Sequence, residues 1–464
     1  MEHKLNEERV QGQILQSAEY YFNKYKSLME SLESRSPISK VRSITPYDYY
    51  ALGKMLENFE TMVAMTEADG SIADLGILPK IGLDVITVAY GASPVGVFAS
   101  VQPISEEQGT VYYKAIKAGD TAGNLTAGNT IVGAQSPMTT PSGYAAGLQT
   151  ENLGTGNGTT TSFTGTLSYL PIRPNSLTVT AGAVTGSDDG AGNIVGNGVS
   201  GTVDYNTGAI TVTFTTAPAT GVSVDVTYIQ NLESATQIRT INYELTSKSI
   251  RAYPYALRST VGLLKSFALK QRFGVIAEDE VAVDLVNAIN AEVSGDLIRL
   301  MNSHAQGTVQ FQSAVPSGIS ESEHRASFKF RIADAENNIT TNAGRGTVNF
   351  IIAGSTVATI ISTLEGFKKL YDGNSVGGAV IFGTLDGVPV VKVNDANILA
   401  STDALCGFKG SSVFDAAAVY APYMPLTTTD LLPTSNPLVN QKAAALMAGR
   451  DVLVPNFITK IQVV

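Results

Sequence analysis

The chain has almost no cysteine: a single thiol, Cys406, in 464 residues. No internal disulfide can form, which suits a reducing cytoplasm. Cys406 lies in the apolar run ALCGF, where a buried, inert thiol is expected rather than a nucleophile. Histidine is nearly as scarce. His3, His304 and His324 show no HExxH or other metal-ligand spacing, so no metal site is read. Charged residues make up only 16% of the chain, with a formal net charge of −10. There is no long basic run, which argues against tight sequence-independent binding to nucleic-acid phosphates. No apolar run reaches the ~18 residues of a membrane span. The first residues, MEHKLNEERVQGQ, are charged and lack the apolar core of a secretory signal.

Enzyme patterns are missing as well. GxxxxGK[ST] does not occur. GTGNGTT at 154–160 does not match GxGxxG and lies in a Thr-rich stretch, not at a strand-to-helix turn. No nucleophile pairs with a histidine as an α/β hydrolase requires. No catalytic residue and no cofactor are assigned, and the chain is read as a non-enzyme. The triplets NLT, NGT and NIT at 124, 157 and 338 match the glycosylation pattern but have no meaning without a secretory signal.

What is present is a globular composition, 44% hydrophobic and with 44 glycines, long enough for two or three domains. The strongest single signal is a helix at 277–304, AEDEVAVDLVNAINAEVSGDLIRLMNSH. Val281, Leu285, Ile289, Val293 and Leu297 fall four apart, with Val286 and Leu300 widening the stripe, which makes one apolar face. Glu278, Asp279 and Glu280 suit the first turn, and Arg299 and His304 the last. At ~1.5 Å per residue the helix is about 40 Å long. Gly295 is its weak point, costing about 1 kcal/mol against alanine.

Residues 1–35 read as an amphipathic helix through Leu5, Ile14, Leu15, Ala18, Tyr21, Phe22, Tyr25, Leu28, Met29 and Leu32, ended by Pro37. Over 1–45, seven basic residues stand against six acidic ones. A second helix is expected over about 45–75, from Pro46 to near Gly70. ITVAY, VGVFASV and TVYYKAI, between 77 and 118, read as strands, and 119–160 as a long exposed loop. Residues 151–235 hold short strands, with Val203, Tyr205, Ile210, Val212 and Phe214 flanking an Asn206–Thr207–Gly208 turn. A small β-sandwich is expected there. It carries one basic residue, Arg173, against six acidic ones, half of the chain's net charge.

IRTINYELTSKSIRAYPY reads as extended. ALRSTVGLLKSFALKQRFG reads as a helix with Leu257, Val261, Leu264, Ala268 and Leu269 on one face, stopped by Gly274. A polar, strand-like stretch follows to about 325, then the helix SFKFRIADAENNITTNA, fraying into a loop. Residues 344–440 read as a lobe. It holds the strand NFIIAG, the helix STVATIISTLEGFKKLY with Ser355 as N-cap, a hairpin turning at Asp386–Gly387, and the strand AAAVYAPYMPL. The tail DVLVPNFITKIQVV reads as a final strand returning to the earlier domain.

Four segments, VQPISEEQGTVYYKAIKAG, LLKSFALKQRFGVIAEDEVAVDLVNAINAEV, GRGTVNFIIAGSTV and AAAVYAPYMPL, come in an order that resembles the major capsid proteins of large contractile-tailed bacteriophages. That family has the Hong Kong 97 (Johnson) fold. The resemblance implies an α+β chain of Hong Kong 97-like capsid fold with an inserted small β-sandwich domain. Residues 1–75 would be an N-terminal arm and helical segment, and 76–150 the start of the peripheral domain and an extended β-loop. Residues 151–235 would be the insertion, and 236–343 the returning loop and the peripheral domain with its spine helix 277–304. Residues 344–440 would be the axial domain and 441–464 a C-terminal peripheral strand.

The resemblance further implies self-assembly into hexamers and pentamers of an icosahedral head shell enclosing double-stranded DNA. The partners would be further copies of the chain and portal, vertex, scaffold or decoration proteins. No membrane and no sequence-specific DNA binding are expected. Assembly would take place in the bacterial host cytoplasm, with the product in the virion head. The acidic balance fits, since a basic lining would grip packaged DNA. Family members are often processed after hydrophobic-x-Glu, a pattern met at Leu28–Met29–Glu30 and Ile104–Ser105–Glu106. Tyr20, Tyr21, Phe22, Tyr112 and Tyr113 are candidate intersubunit contacts, as aromatics on reaching segments; a role in the subunit's own core is equally open. Both outlying segments, 1–35 and 100–150, are expected to bury their apolar residues on sister subunits, and loss of 1–35 to block assembly while leaving the subunit folded. The alternative is a secreted or surface-layer adhesin-like protein, on the strength of the β block.

Overall fold

Helices fill the start of the chain. α1 (Glu2–Lys24) and α2 (Lys26–Arg35) follow one another across Tyr25. α3 (Pro37–Val41), α4 (Pro46–Ala68) and α5 (Pro79–Ala92) each begin on proline, whose missing N–H costs nothing in a first turn. α6 (Val95–Phe98) is a single turn, and only β1 (Ser100–Val101) is extended. ITVAY and VGVFASV, expected as strands, are therefore mostly helical. Ile86, Ala89 and Tyr90 fall three and four apart and are all buried, so tertiary burial outweighs the β preference of Ile, Thr and Val. The Thr87 hydroxyl bonds back to the Leu83 carbonyl at 3.0 Å.

The computed structural model describes the chain except residue 1 and residues 69–78, 122, 133–143, 145–146, 236–237, 275–276, 371–377, 411, 430 and 437. The expected helix end at Gly70 and part of the expected loop 119–160 lie outside the described residues. The chain divides into two compact units, one of Met1–Ile116, Val132–Met138 and Tyr243–Val464, the other of Lys117–Ile131 and Thr139–Asn242.

The chain leaves the first unit along β2 (Gln108–Ala118). Beyond β3 (Thr130–Val132) come β4 (Leu148–Thr155), β5 (Ser162–Thr166), β6 (Thr178–Ala181) and β7 (Val184–Asp188). β8 (Asn193–Gly196), β9 (Val199–Val203), β10 (Ala209–Phe214) and β11 (Ser223–Ile229) follow. They form one antiparallel sheet in the order β4-β11-β6-β7-β8-β9-β10-β5. Alternation along β10 sends Ile210, Val212 and Phe214 into a core shared with Phe163, Val179, Val224 and Tyr228. The β9–β10 hairpin turns where expected, with the Asp204 carboxylate accepting from the Asn206 N–H at 2.9 Å and Gly208 at φ +74. The sheet bends until its end strands meet: a Cβ on Gly165 of β5 would lie 2.8 Å from Leu153 of β4. The two layers expected of a sandwich are thus two halves of one sheet.

β12 (Ile241–Arg251) lies beside β2 and returns the chain. β13 (Tyr253–Gly262) then pairs along its whole length with a later strand, from Tyr253 opposite Ala448 to Gly262 opposite Val439. The helix expected from Ala256 starts only at α7 (Leu263–Phe273), because this pairing holds the first half of that segment extended; Gly274 closes α7 at φ +70 as expected. α8 (Ala277–His304) is the long helix, with the bounds read from its periodicity. Its Leu285, Ile289 and Val293 pack on Leu426, Ala444 and Leu446, while Leu297, Ile298 and Met301 enter the main core. Gly295 is no mere weak spot: a Cβ there would meet Ile398 at 2.7 Å.

β14 (Thr308–Phe311), α9 (Glu321–Ala326) and α10 (Phe328–Ala343) follow. A Ser320/Glu323 capping box starts α9, and Gly344, at φ +68, ends α10 in place of the expected fraying. β15 (Phe350–Gly354) leads into α11 (Ser355–Ser362), which is shorter than expected and capped at Gly354, with no bond from the Ser355 hydroxyl as N-cap. Gly366, at φ +91, turns the chain into β16 (Phe367–Lys369). β17 (Ala379–Leu385) and β18 (Val388–Val393) form the Asp386–Gly387 hairpin, both turn residues at positive φ. β19 (Asp403–Gly407), β20 (Ala418–Thr428), β21 (Leu432–Pro433), β22 (Val439–Val452) and β23 (Ile458–Val463) complete the chain. One sheet runs β14-β23-β19-β15-β18-β17-β16; another runs β1-β20-β22-β13, with β21 on β22. The segment expected as one lobe is thus shared between two sheets. The tail is two strands, β23 lying between β14 and β19.

Candidate assembly surfaces

From Ala18 to Leu32 the N-terminal stripe is covered within its own chain, whereas Leu15 is 45% exposed and the Leu5 side chain lies outside the described residues. Tyr21, Tyr25, Met29 and Leu32 pack on Leu52, Leu56 and Phe59 of α4 and on Ile86 and Tyr90 of α5. α1 and α4 touch closely, since a Cβ on Gly53 would lie 2.3 Å from the Tyr21 side chain. Burial, followed by its 2.7 Å bond to Glu57, pushes the Tyr21 hydroxyl well above its ordinary range. Lys24 pairs with Glu60 at 2.8 Å. The expectation that 1–35 has to find its apolar partners on sister subunits is corrected for Ala18 to Leu32. The turns at Pro37 and Pro46 bring the chain back, and α4 offers an apolar face of its own. Met29, inside one hydrophobic-x-Glu pattern, is fully buried, and Ile104, inside the other, is buried as well.

A polar knot holds the end of this helical segment. Arg42 donates two bonds to Asp48, at 2.8 and 2.7 Å, and a third to the Gly96 carbonyl at 3.1 Å. Asp48 also accepts from the Thr45 N–H at 2.9 Å, the Thr45 hydroxyl at 2.8 Å and the Tyr90 hydroxyl at 3.1 Å. Burial opposes its charge, but Arg42 beside it holds the carboxyl well below the usual carboxylate range. The Lys409 ammonium reaches the same Gly96 oxygen at 2.6 Å, and burial, helped by Arg42, pulls it down to about 7. A cavity of about 350 Å³ opens here, lined in part by Arg42, Tyr47, Asp48, Tyr90, Asn349 and Lys409. The knot ties the start of the chain to α6 and to the segment after β19. A second knot seats α8, with Asp296 accepting from Tyr255 of β13 at 3.0 Å and pairing with Arg450 of β22 at 2.7 Å.

The five candidate contact residues separate. Tyr20 is 57% exposed and Tyr112 42%. Tyr21 is buried, Phe22 is half-buried against Tyr49 with ring centres 5.1 Å apart, and Tyr113 is half-buried on the main core. Gln102, which the sequence did not single out as a pin, fixes the start of β2. Its amide gives and takes a 3.0 Å bond with the Tyr112 backbone and donates to the Val413 carbonyl at 3.1 Å. The Gln–Pro pair at 102–103 was the visible signal. Cys406 is fully buried, as expected, and burial pushes its thiol up to about 12. His304 bonds back to the Leu300 carbonyl at 2.9 Å at the end of its helix. Among the described residues no three His, Cys, Asp or Glu side chains gather as a metal site.

α7 has the opposite fate to α1. Leu264 and Leu269 were read on one apolar face of a helix, yet Leu264 is 73% exposed and Leu269 39%, and Phe267 beside them is 65% exposed. Val261, on the strand before it, takes the buried place.

The profile of the Gp23 family, described as major capsid protein Gp23, matches residues 98–463. The chain belongs to this family of major capsid proteins. The Gp23 match covers every strand from β1 to β23 and the helices α7 to α11, while α1 to α5 precede it. The major capsid protein of Vibrio phage KVP40 is 26% identical over 210 residues, and the match spans 40% of this chain and 40% of that relative's length. Among solved structures, the capsid of Myoviridae phage XM1 is 12% identical over 66% of this chain and 87% of that one, with a TM-score of 0.31. A structure from Gordonia phage Cozz is 14% identical over 49% and 75%, with a TM-score of 0.34. The α+β class expected from the sequence is that of the structure, and the Hong Kong 97 fold is the one expected of a Gp23-type chain.

Proposed function

We propose that this chain is the self-assembling shell subunit of a tailed-phage head, forming the hexamers and pentamers of an icosahedral capsid around double-stranded DNA. The Gp23 match over residues 98–463 carries the reading. On this reading α8 is the spine helix of a peripheral domain whose sheet is β1-β20-β22-β13. The strands β15 to β19 belong to the axial domain, and the second compact unit is an insertion in the extended β-loop. Its surface contacts are made with further copies of the chain, and with portal, vertex, scaffold or decoration proteins. Its site of action is the virion head, built in the host cytoplasm. The net charge of −10 supports a lining that encloses DNA without gripping it.

Negative-stain microscopy of the purified full chain tests the reading. Closed shells or ring-shaped capsomers are expected. Dispersed particles at every protein and salt concentration tried would overturn it.

A further inference from the structure

We propose that the cavity beside the Arg42–Asp48 pair is a binding site for a small free oxyanion of the phosphate class, held by Lys409 and Arg42. At about 350 Å³ the cavity falls in the range of volumes that small-molecule sites occupy. All of its walls belong to the first compact unit. Ser43 and Gly387, which line it, are exposed, so ions reach it from solvent. Three of the lining residues carry charge, Arg42, Lys409 and Asp48. Two cations thus stand against one carboxylate, and low-dielectric walls focus such an excess on an anion.

The donors are only partly used. Arg42 spends its two terminal nitrogens on Asp48 and on the Ser43 and Gly96 carbonyls. Its Nε–H is buried and meets no acceptor among the described residues, a state that buried donors avoid. The Lys409 ammonium can donate three bonds and donates one, to the Gly96 carbonyl at 2.6 Å. Asp48 cannot serve both cations, because Arg42 takes its two oxygens and Thr45 and Tyr90 add further bonds. Burial and the Arg42 charge work against a charged Lys409, and an anion beside it works the other way. A chloride would fill little of the space. A tetrahedral oxyanion offers oxygens in several directions at once, to Arg42 Nε, to Lys409 Nζ and to the Ser43 hydroxyl. A phosphate within a DNA duplex fits less well, since the duplex is too wide to follow it into a cavity of this size. Bound there, the free ion would complete the knot that joins α3, α6 and the segment after β19, and so act as a staple inside one subunit.

The test is a calorimetric titration of inorganic phosphate into the full chain at neutral pH, with ionic strength held constant by chloride. It needs no assembled shell. Saturable binding of one phosphate per chain is expected. Saturation is the point, because phosphate also stabilises folded proteins by exclusion from their surface, which does not saturate. Lys409→Met should bind phosphate roughly tenfold more weakly, the loss of one hydrogen bond to a charged group. Lys265→Met, on α7 and outside the cavity, should bind like the parent. A short DNA duplex should not compete. A second measurement uses the unaltered chain and decides alone if Lys409→Met does not fold: phosphate should slow acetylation of Lys409, read by mass spectrometry, and leave that of Lys265 unchanged. Binding that does not saturate, equal affinity in Lys409→Met, displacement by the duplex, or equal acetylation of Lys409 with and without phosphate would each overturn the proposal.

Discussion

α1 and α7 are both helices whose apolar residues recur at helical spacing. The first buries Ala18 and Tyr21 within its own chain, whereas the second leaves Leu263, Leu264 and Phe267 exposed. α1 folds back onto α4 across proline-marked turns, and its polar side bonds at home, Tyr21 to Glu57 and Lys24 to Glu60. α7 follows β13, precedes α8, and carries charge of a single sign. Periodicity tells that a helix has a face to bury. The rest of the chain decides whether the burial happens within one molecule.

The largest expected effect breaks the covered side of this comparison. Deleting residues 1–35 uncovers Leu52, Leu56 and Phe59, all fully buried, so the truncated chain should lose its cooperative melt and aggregate rather than persist as a folded subunit. A truncated chain melting like the parent would show that α1 is dispensable to the fold after all. On a finer scale, urea unfolding of Phe59→Ala should show a loss of about 3–5 kcal/mol. Phe267→Ala, on the uncovered helix, should stay within about 0.5 kcal/mol of the parent.

Next comes Asp48→Asn, which leaves the Arg42 charge buried without its partner and should cost about 3–5 kcal/mol. Because the folded carboxyl lies below its ordinary value, its contribution is complete above about pH 4 and is lost as pH falls through the lowered folded value. Stability measured from neutral to acid pH should fall less in the variant than in the parent; equal slopes would remove Asp48 from the account. Gly295→Ala sharpens the comparison on a third covered face. Helix propensity favours alanine by about 1 kcal/mol, but the clash with Ile398 should cost about 1–3 kcal/mol, giving a net loss in a melt. A gain would mean that Ile398 gives way freely.

A last effect, read in the pH dependence alone, concerns Lys409. Its folded pKa of about 7 lies below its ordinary value, so the unfolded chain binds more protons between about pH 7 and 10. Stability should therefore rise through that window and fall as pH drops through about 7. Lys409→Met should flatten the rise in a pH series of denaturant titrations.

Much of the fold was legible where local signals agree. α8 had an apolar stripe, acidic residues at its start and a cation near its end, and its bounds were read residue for residue. The Asp386–Gly387 and Asn206–Gly208 turns were equally clear, because both need backbone angles that few residues adopt. The misses share one cause. Residues 86–98 are rich in β-branched side chains, but burial of Ile86 and Tyr90 against α4, and of Val95, Val97 and Phe98 in the main core, resolved the conflict in favour of helix. Leu257, Val261 and Leu264 fit a helix stripe, but the pairing of β13 with a strand nearly two hundred positions later makes the first two extended. Of the five aromatic candidates, only Tyr20 and Tyr112 stand well clear of the subunit's own packing; whether an aromatic faces inwards depends on contacts distant in sequence.

β2 carries the chain out to the second unit and β12, its neighbour in one sheet, carries it back. Adjacent strands run about 4.8 Å apart, so the two points of departure and return are nearly coincident. A foreign domain whose ends lie equally close could be spliced in at those points with no change to α8 or to the sheets β14-β23-β19-β15-β18-β17-β16 and β1-β20-β22-β13. The same geometry would let relatives gain, lose or exchange this portion as a cassette while keeping the remaining architecture intact.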